Sequence, residues 1–319
     1  MPIFSLCSNV GANTGPIACD KRRGIPENLL VGGKAFTPVE YASQAAFQAA
    51  MIAAINLPNG DSDKIYPFPI IQNVTDNTEE NTVGTTGKGF RMILKEGKPA
   101  YAFGVLVGST LEKNLRKFNN QIVPVFVLDN ARDVDGMLDG SNNFVGQQAL
   151  IFVDGKPYSN GNDVDSEYTN VEVSFLSATD FFDNYAFIKT TFTSAALEGL
   201  VDAGLYEAAA PTSNVYQIGA KALTPELGSM YSFFDKYQDE LADDALWIAE
   251  TGTDFGTTLA ITAVAKNVTL KSWAVTFDST AHTALPSDAE IRVRWVGPAD
   301  LLAAGVRGLE SVPVIVVKP

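Results

Sequence analysis

Four apolar stretches in the middle of the chain, Ile122 to Leu128, Ala149 to Val153, Val171 to Leu176 and Tyr185 to Phe192, are short and separated by segments rich in turn residues. Runs of that length bury their surface by pairing edge to edge, so this part of the chain is predicted to be β-sheet. In the third run Val171, Val173 and Phe175 alternate with Glu172 and Ser174, which predicts a strand with one wet face. The connections hold Asp129, Asp133, Asp135, Asp139, Asp163, Asp165 and Glu167, so acid is expected to gather in the loops of the sheet.

With 319 residues, 46% of them hydrophobic, the chain is long enough for two domains. A net charge of -14 argues against nucleic-acid binding as the main task, because phosphate contacts need clustered Lys and Arg. No apolar run approaches the 18 or so residues of a membrane helix, and Met1 to Val10 lack the basic start and apolar core of a secretory signal. Synthesis in a cytoplasm, without membrane insertion, is expected. Cys7 and Cys19 are expected to be reduced thiols, with a bridge closing the loop between them as the geometrically possible alternative.

Residues 1 to 36 are Gly- and Pro-rich and read as an extended arm. Thr37, Pro38 and Glu40 then spell a capping box, and the apolar residues from Tyr41 to Ile55 predict a helix lying on the sheet and ending near Asn56 to Gly60. Residues 57 to 89, polar apart from Ile65 to Val74, are predicted to be a long contact loop, with Asn73, Asp76, Glu79 and Glu80 as candidate contact residues. Phe90 to Lys95 and Ala100 to Val107 are predicted to pair as a hairpin through Glu96-Gly97-Lys98-Pro99. A short helix is expected from Ser109, and another over Ala195 to Ala210. The segment from Ala208 to Ser213 reads as a linker, which divides the chain into a domain over 37–210 and a terminal one over 211–319. The latter, after a partly helical Pro225 to Ala242, reads as a small immunoglobulin-like sandwich with Trp273 in its core. The expected class is β-rich α+β.

Catalytic and cofactor motifs are missing from the sequence. The sole histidine, His282, has no marked nucleophile nearby and reads as an exposed loop residue. No phosphate loop, dinucleotide-binding turn or paired zinc-ligand spacing occurs. Against a calcium loop, Asp133 and Asp135 fit around Gly136, but Ala131 stands where the first Asp belongs, so a solvated acidic turn is expected. No enzyme activity, cofactor or metal is expected.

The order of parts (arm, helix, long polar loop, strands, linker and terminal sandwich) resembles the major tail tube proteins of long-tailed bacteriophages with an appended immunoglobulin-like domain. The Gly-rich start and the strand segments from Phe90 to Phe192 are similar to virion proteins of phages infecting Bacteroidetes. That resemblance implies a tail-tube-like β-sandwich or barrel in a virion, forming stacked homo-oligomeric rings, usually hexameric, beside other virion proteins. It also implies a channel through which DNA passes without specific binding. Asp129, Asp133, Asp135, Asp139, Asp163, Asp165, Glu167 and Glu172 are then candidate lumen or loop acids, since a wall of like charge does not hold a polyanion. Another virion component, a glycan-binding adhesion module, and a hydrolase using paired carboxylates among Asp129, Asp133 and Asp135 remain alternatives.

Overall fold

The computed structural model describes residues 23–107, 109–155, 169–182, 184–192, 197, 199–223, 233–306 and 308–319, with the backbone of 4–6. The chain forms two compact units, Met1–Ile55 with Asn59–Gly199, and Asn56–Pro58 with Leu200–Pro319. It is β-rich with several sheets and a minority of helix, an α+β composition.

In the first unit the strands are β1 (Phe4–Leu6), β2 (Pro26–Gly32), β3 (Ile65–Pro67), β4 (Ile71–Asp76), β5 (Thr82–Thr85), β6 (Arg91–Lys95) and β7 (Ala100–Val105). They continue with β8 (Gln121–Asp129), β9 (Asp133–Leu138), β10 (Phe144–Val145), β11 (Gln147–Asp154), β12 (Thr169–Phe175) and β13 (Tyr185–Lys189). Three helices intervene, α1 (Gln44–Ile55), α2 (Ser109–Leu115) and α3 (Ala178–Phe182). All strands but β5 and β6 join one sheet, ordered β1-β13-β9-β8-β11-β12-β7-β4, with β10 on β9, β2 on β8 and β3 on β2.

The antiparallel pair β2 and β8 explains how the sheet carries two cores. Leu30, Phe126 and Leu128 point to one face, where α1 packs Phe47, Met51, Ala54 and Ile55 against Phe36, Phe144, Ala186 and Ile188. Leu29, Val31 and Val125 point to the other, among Phe103, Ile151, Val171, Val173 and Phe175. Strands buried on both faces read as continuous apolar runs, which is what Leu29 to Val31 and Val125 to Leu128 are.

Four expectations for this unit change. Pro26 to Phe36 is not a free arm: β2 is buried, and Gly32 and Gly33 serve close approach, since a Cβ on Gly32 would sit 2.1 Å from the Lys64 carbonyl oxygen. The capping box forms in part, with the Thr37 amide donating to Glu40 Oε2 at 2.8 Å, but it closes a turn. The helix itself begins after Ser43, whose Oγ accepts from Ala46 N at 3.1 Å. The segment 57–89 contains β3, β4 and β5, so it is not a loop. Finally, β6 does not pair with β7; it pairs with β5, while β7 lies between β4 and β12.

The second unit contains β14 (Val201–Thr212), β15 (Val215–Ala222), β16 (Trp247–Thr251), β17 (Thr257–Thr258), β18 (Ile261–Asn267) and β19 (Ser272–Phe277). It closes with β20 (Glu290–Trp295), β21 (Leu309–Val312) and β22 (Val314–Val317), and has short helices α4 (Phe233–Tyr237), α5 (Ser279–Ala284) and α6 (Pro298–Ala303). One sheet is ordered β18-β19-β15-β14-β21 and a second β17-β16-β20-β22. Residues of both enclose one core, with Trp247, Trp273, Trp295, Phe233, Phe234 and Phe277 all buried.

The helix expected over Ala195 to Ala210 is instead strand β14 from Val201 onward, and the expected linker is the end of that strand and its hairpin turn. Ser213 adopts a left-handed φ of 56° there. The division accordingly falls near Leu200 rather than Pro211. A fragment beginning at Leu200 is expected to melt cooperatively when expressed alone. One beginning at Pro211 should not, because it lacks the strand between β15 and β21; equal cooperativity of the two in calorimetry would contradict this assignment.

His282, expected in an exposed loop, lies buried on α5 with Nε2 3.0 Å from the Tyr216 hydroxyl and its ring stacked on Phe277. Burial, then the Lys318 ammonium, lowers its pKa. A base depressed in the folded state keeps its full contribution above the unfolded imidazole value near 6.5 and loses it as pH falls toward the depressed value. The second unit is therefore expected to lose stability below about pH 6.5. Thermal melts across that range should show the loss, and His282→Gln should flatten it.

Candidate functional site

The acids from Asp129 to Asp139 are not a solvated loop. Asp129 ends β8 and is fully buried, and Asp133 and Asp135 are buried on β9. The Asp129 carboxylate holds the corner together: Oδ1 accepts from Ala131 N at 3.0 Å and Asp133 N at 2.9 Å, and Oδ2 accepts from Gly24 N at 3.1 Å. Asp135 Oδ1 accepts from the Tyr185 hydroxyl at 2.6 Å. Burial, then the Asp135 charge, pushes the Tyr185 phenol far above its ordinary pKa, so it remains a donor. Arg23 lies between the rings of Phe181 and Tyr185, 3.6 and 4.2 Å from their centroids, and donates to the Phe181 carbonyl. Burial lowers its pKa, opposed by Tyr185 and Asp135. These groups join Arg23 and Gly24 to β8, β9 and β13.

Asp139 is also structural. Its Oδ1 accepts from Ser141 N and Asn143 N, both at 2.8 Å, closing the turn from β9 to β10. Hydrogen bonds from Asn143, first from its side chain, hold the carboxyl below its usual pKa. Glu172 is half-buried on β12, opposite Phe152 of β11 and Ala102 of β7. Asp163, Asp165, Glu167, Cys7 and Cys19 lie outside the described residues. Among the described residues no group of three or more His, Cys, Asp or Glu side chains could hold a metal ion.

Asp76, Glu79 and Glu80 lie at the root of a hairpin, and Asn73 lies further back on the strand that leads to it. Asn73 lies on the edge strand β4 opposite Gly104, and Asp76 ends that strand with its Oδ1 accepting from Thr78 N at 2.9 Å. Hydrogen bonds from Thr78, the side chain first, lower its pKa. Glu79 Oε2 is 3.4 Å from Lys95 Nζ, and Glu80 is exposed beside it. Asn77 N donates to Ala100 O at 2.8 Å, and Gly97 N donates to Asn81 Oδ1 at 2.7 Å. A side chain at Gly97 would strike the Glu79 carbonyl oxygen at 1.7 Å, so glycine is required by the closeness of the two arms.

Beyond this root β5 and β6 form a two-stranded sheet of their own. Phe90, Met92 and Leu94 alternate along its second arm and share one face, with Leu94 lying over Gly84. They are 69%, 51% and 65% exposed. Arg91 and Ile93 occupy the other face, opposite Thr85 and Val83, and an irregularity in the pairing at Leu94 sets Lys95 opposite Thr82. The tip is closed by Gly89 N donating to Thr86 O and Thr86 N to Phe90 O, both at 2.8 Å, with Gly89 at a φ of 82°. An isolated hairpin is marginal in water, and a contiguous exposed apolar face marks an interaction site. The sequence alone reads Phe90 to Lys95 as one arm of a hairpin with Ala100 to Val107. The overlooked signal was that Phe90 to Lys95 had a second polar strand, Thr82 to Thr85, available as its partner.

No protein-family model matches the sequence, and no curated protein matches it either. No helix among the described residues is long and apolar enough to cross a membrane.

Proposed function

We propose that this chain is a non-catalytic structural protein that assembles with copies of itself, in stacked rings of the kind that form the tail tube of long-tailed phages. The observation that carries this reading is the hairpin β5–β6, whose apolar residues Phe90, Met92 and Leu94 are each more than half exposed. A surface of this kind is stabilised by a partner and is a liability without one.

Burial of Asp129, Asp133 and Asp135 removes them as lumen acids and also weakens a hydrolase reading, since Asp129 is committed to backbone amides and Asp135 to Tyr185. The acidic segment from Asp163 to Glu167 remains the candidate for an anionic wall. The second unit is read as an immunoglobulin-like appendage. With Trp247, Trp273 and Trp295 all in its core, a sugar-stacking platform built on them is disfavoured.

Sedimentation velocity tests the reading. The full chain at high concentration is expected to sediment as species many times its 34.1 kDa. A monomer at every accessible concentration would overturn it.

A further inference from the structure

We infer that the hairpin's apolar face seats on the outward face of β11 and β12 of a second copy, an assignment that rests on the self-assembly reading above. Strands β11 and β12 alternate strictly: Ala149, Ile151, Val153, Val171, Val173 and Phe175 face the core, and the intervening residues face out. An outward face next to solvent is ordinarily polar. This one carries Leu150 and Phe152, which are 37% and 48% exposed, with Leu176 just past the end of β12.

The three form a row. Leu176 N donates to the Gln148 carbonyl, so Leu176 stands opposite Gln148, one same-face step from Leu150 and two from Phe152. On the hairpin, Phe90, Met92 and Leu94 also span two same-face steps, so both rows are about 13 Å long at a rise of about 3.3 Å per residue.

Charge selects the occupant. Residues 82–98 contain Lys88, Arg91, Lys95 and Lys98 against Glu96 alone, on a chain whose net charge is -14. A basic, apolar projection on an acidic molecule is attracted to another copy of that molecule. The proposed seat is itself acidic, with Glu172 opposite Phe152 and Asp154 at the end of β11. Attraction at this range acts within a Debye length of about 8 Å at physiological salt, so it steers the tip, while the apolar rows hold it. A patch meeting a different patch on the next copy is a heterologous contact, which closes into rings or continues as a stack.

The test is photo-crosslinking in the full chain with p-benzoylphenylalanine in place of Phe90, using mixed 15N-labelled and unlabelled copies. Crosslinks between heavy and light copies are expected to map to residues 147–154 or 169–176. Crosslinks between copies that map elsewhere would overturn the seat while leaving self-assembly standing. As a second measurement, Leu150→Ser with Phe152→Ser should raise the concentration for half-assembly at least tenfold with little change in melting temperature. Unchanged assembly would likewise remove the seat alone. A parent chain that never associates would remove the seat together with the reading on which it rests.

Discussion

The triple variant Phe90→Ser, Met92→Ser, Leu94→Ser is expected to abolish assembly while leaving the melting temperature within a few degrees of the parent. Each side chain is more than half exposed, so removing it costs the folded monomer little. Covering such a residue at a contact contributes about 1 kcal/mol or more, and three together roughly 3 kcal/mol, or about a hundredfold in association at every contact. Light scattering against concentration measures the loss, and undiminished assembly would refute the role of this face. Excising 57–89 would be the wrong test, because that segment contributes Ile65, Phe68 and Ile71 to the cores of the first unit.

The largest stability effect is expected at Asp129. Asp129→Ala removes a fully buried carboxylate and leaves the amides of Gly24, Ala131 and Asp133 without it, the bond to Asp133 buried and the other two part-buried. An unsatisfied buried donor costs about 1–3 kcal/mol and a part-buried one less, so a total of roughly 2–4 kcal/mol is expected, a large share of a domain's stability of about 5–15 kcal/mol. Asp139→Ala also removes an acceptor of two amides, but in a turn partly open to water, and should cost only about 1 kcal/mol. Urea titration of the full chain should show the Asp129 variant shifting the transition of the first unit and not that of the second. Equal effects of the two variants would contradict the account of the corner.

Where periodicity and burial agreed, the sequence was a reliable guide. The runs at Ile122, Ala149, Val171 and Tyr185 became β8, β11, β12 and β13, the helix packing on the sheet became α1, and Trp273 is buried at the centre of its core. The failures have physical causes. Val201 to Ala210 is rich in Ala, a helix former, yet pairing with β15 on one edge and β21 on the other overrides so weak a preference. Gly32 and Gly33 looked like flexibility and instead permit the close passage of Lys64 and Ser62. The acids at Asp129 and Asp135 looked solvated because Gly24 and Tyr185, which satisfy them, are 105 and 50 residues away along the chain. His282 was misread for the same reason, since Tyr216 is 66 residues distant. Of the candidate contact residues, Asn73, Asp76, Glu79 and Glu80 were placed near the hairpin, but the apolar face above them became visible only with the pairing of β5 and β6.

The central claim is that copies of this chain join through the β5–β6 hairpin, and negative-stain electron microscopy of the purified chain beside the triple serine variant tests it most directly. The expected result is rings or stacked rings for the parent and single particles for the variant. Single particles for both, or rings for both, would contradict it.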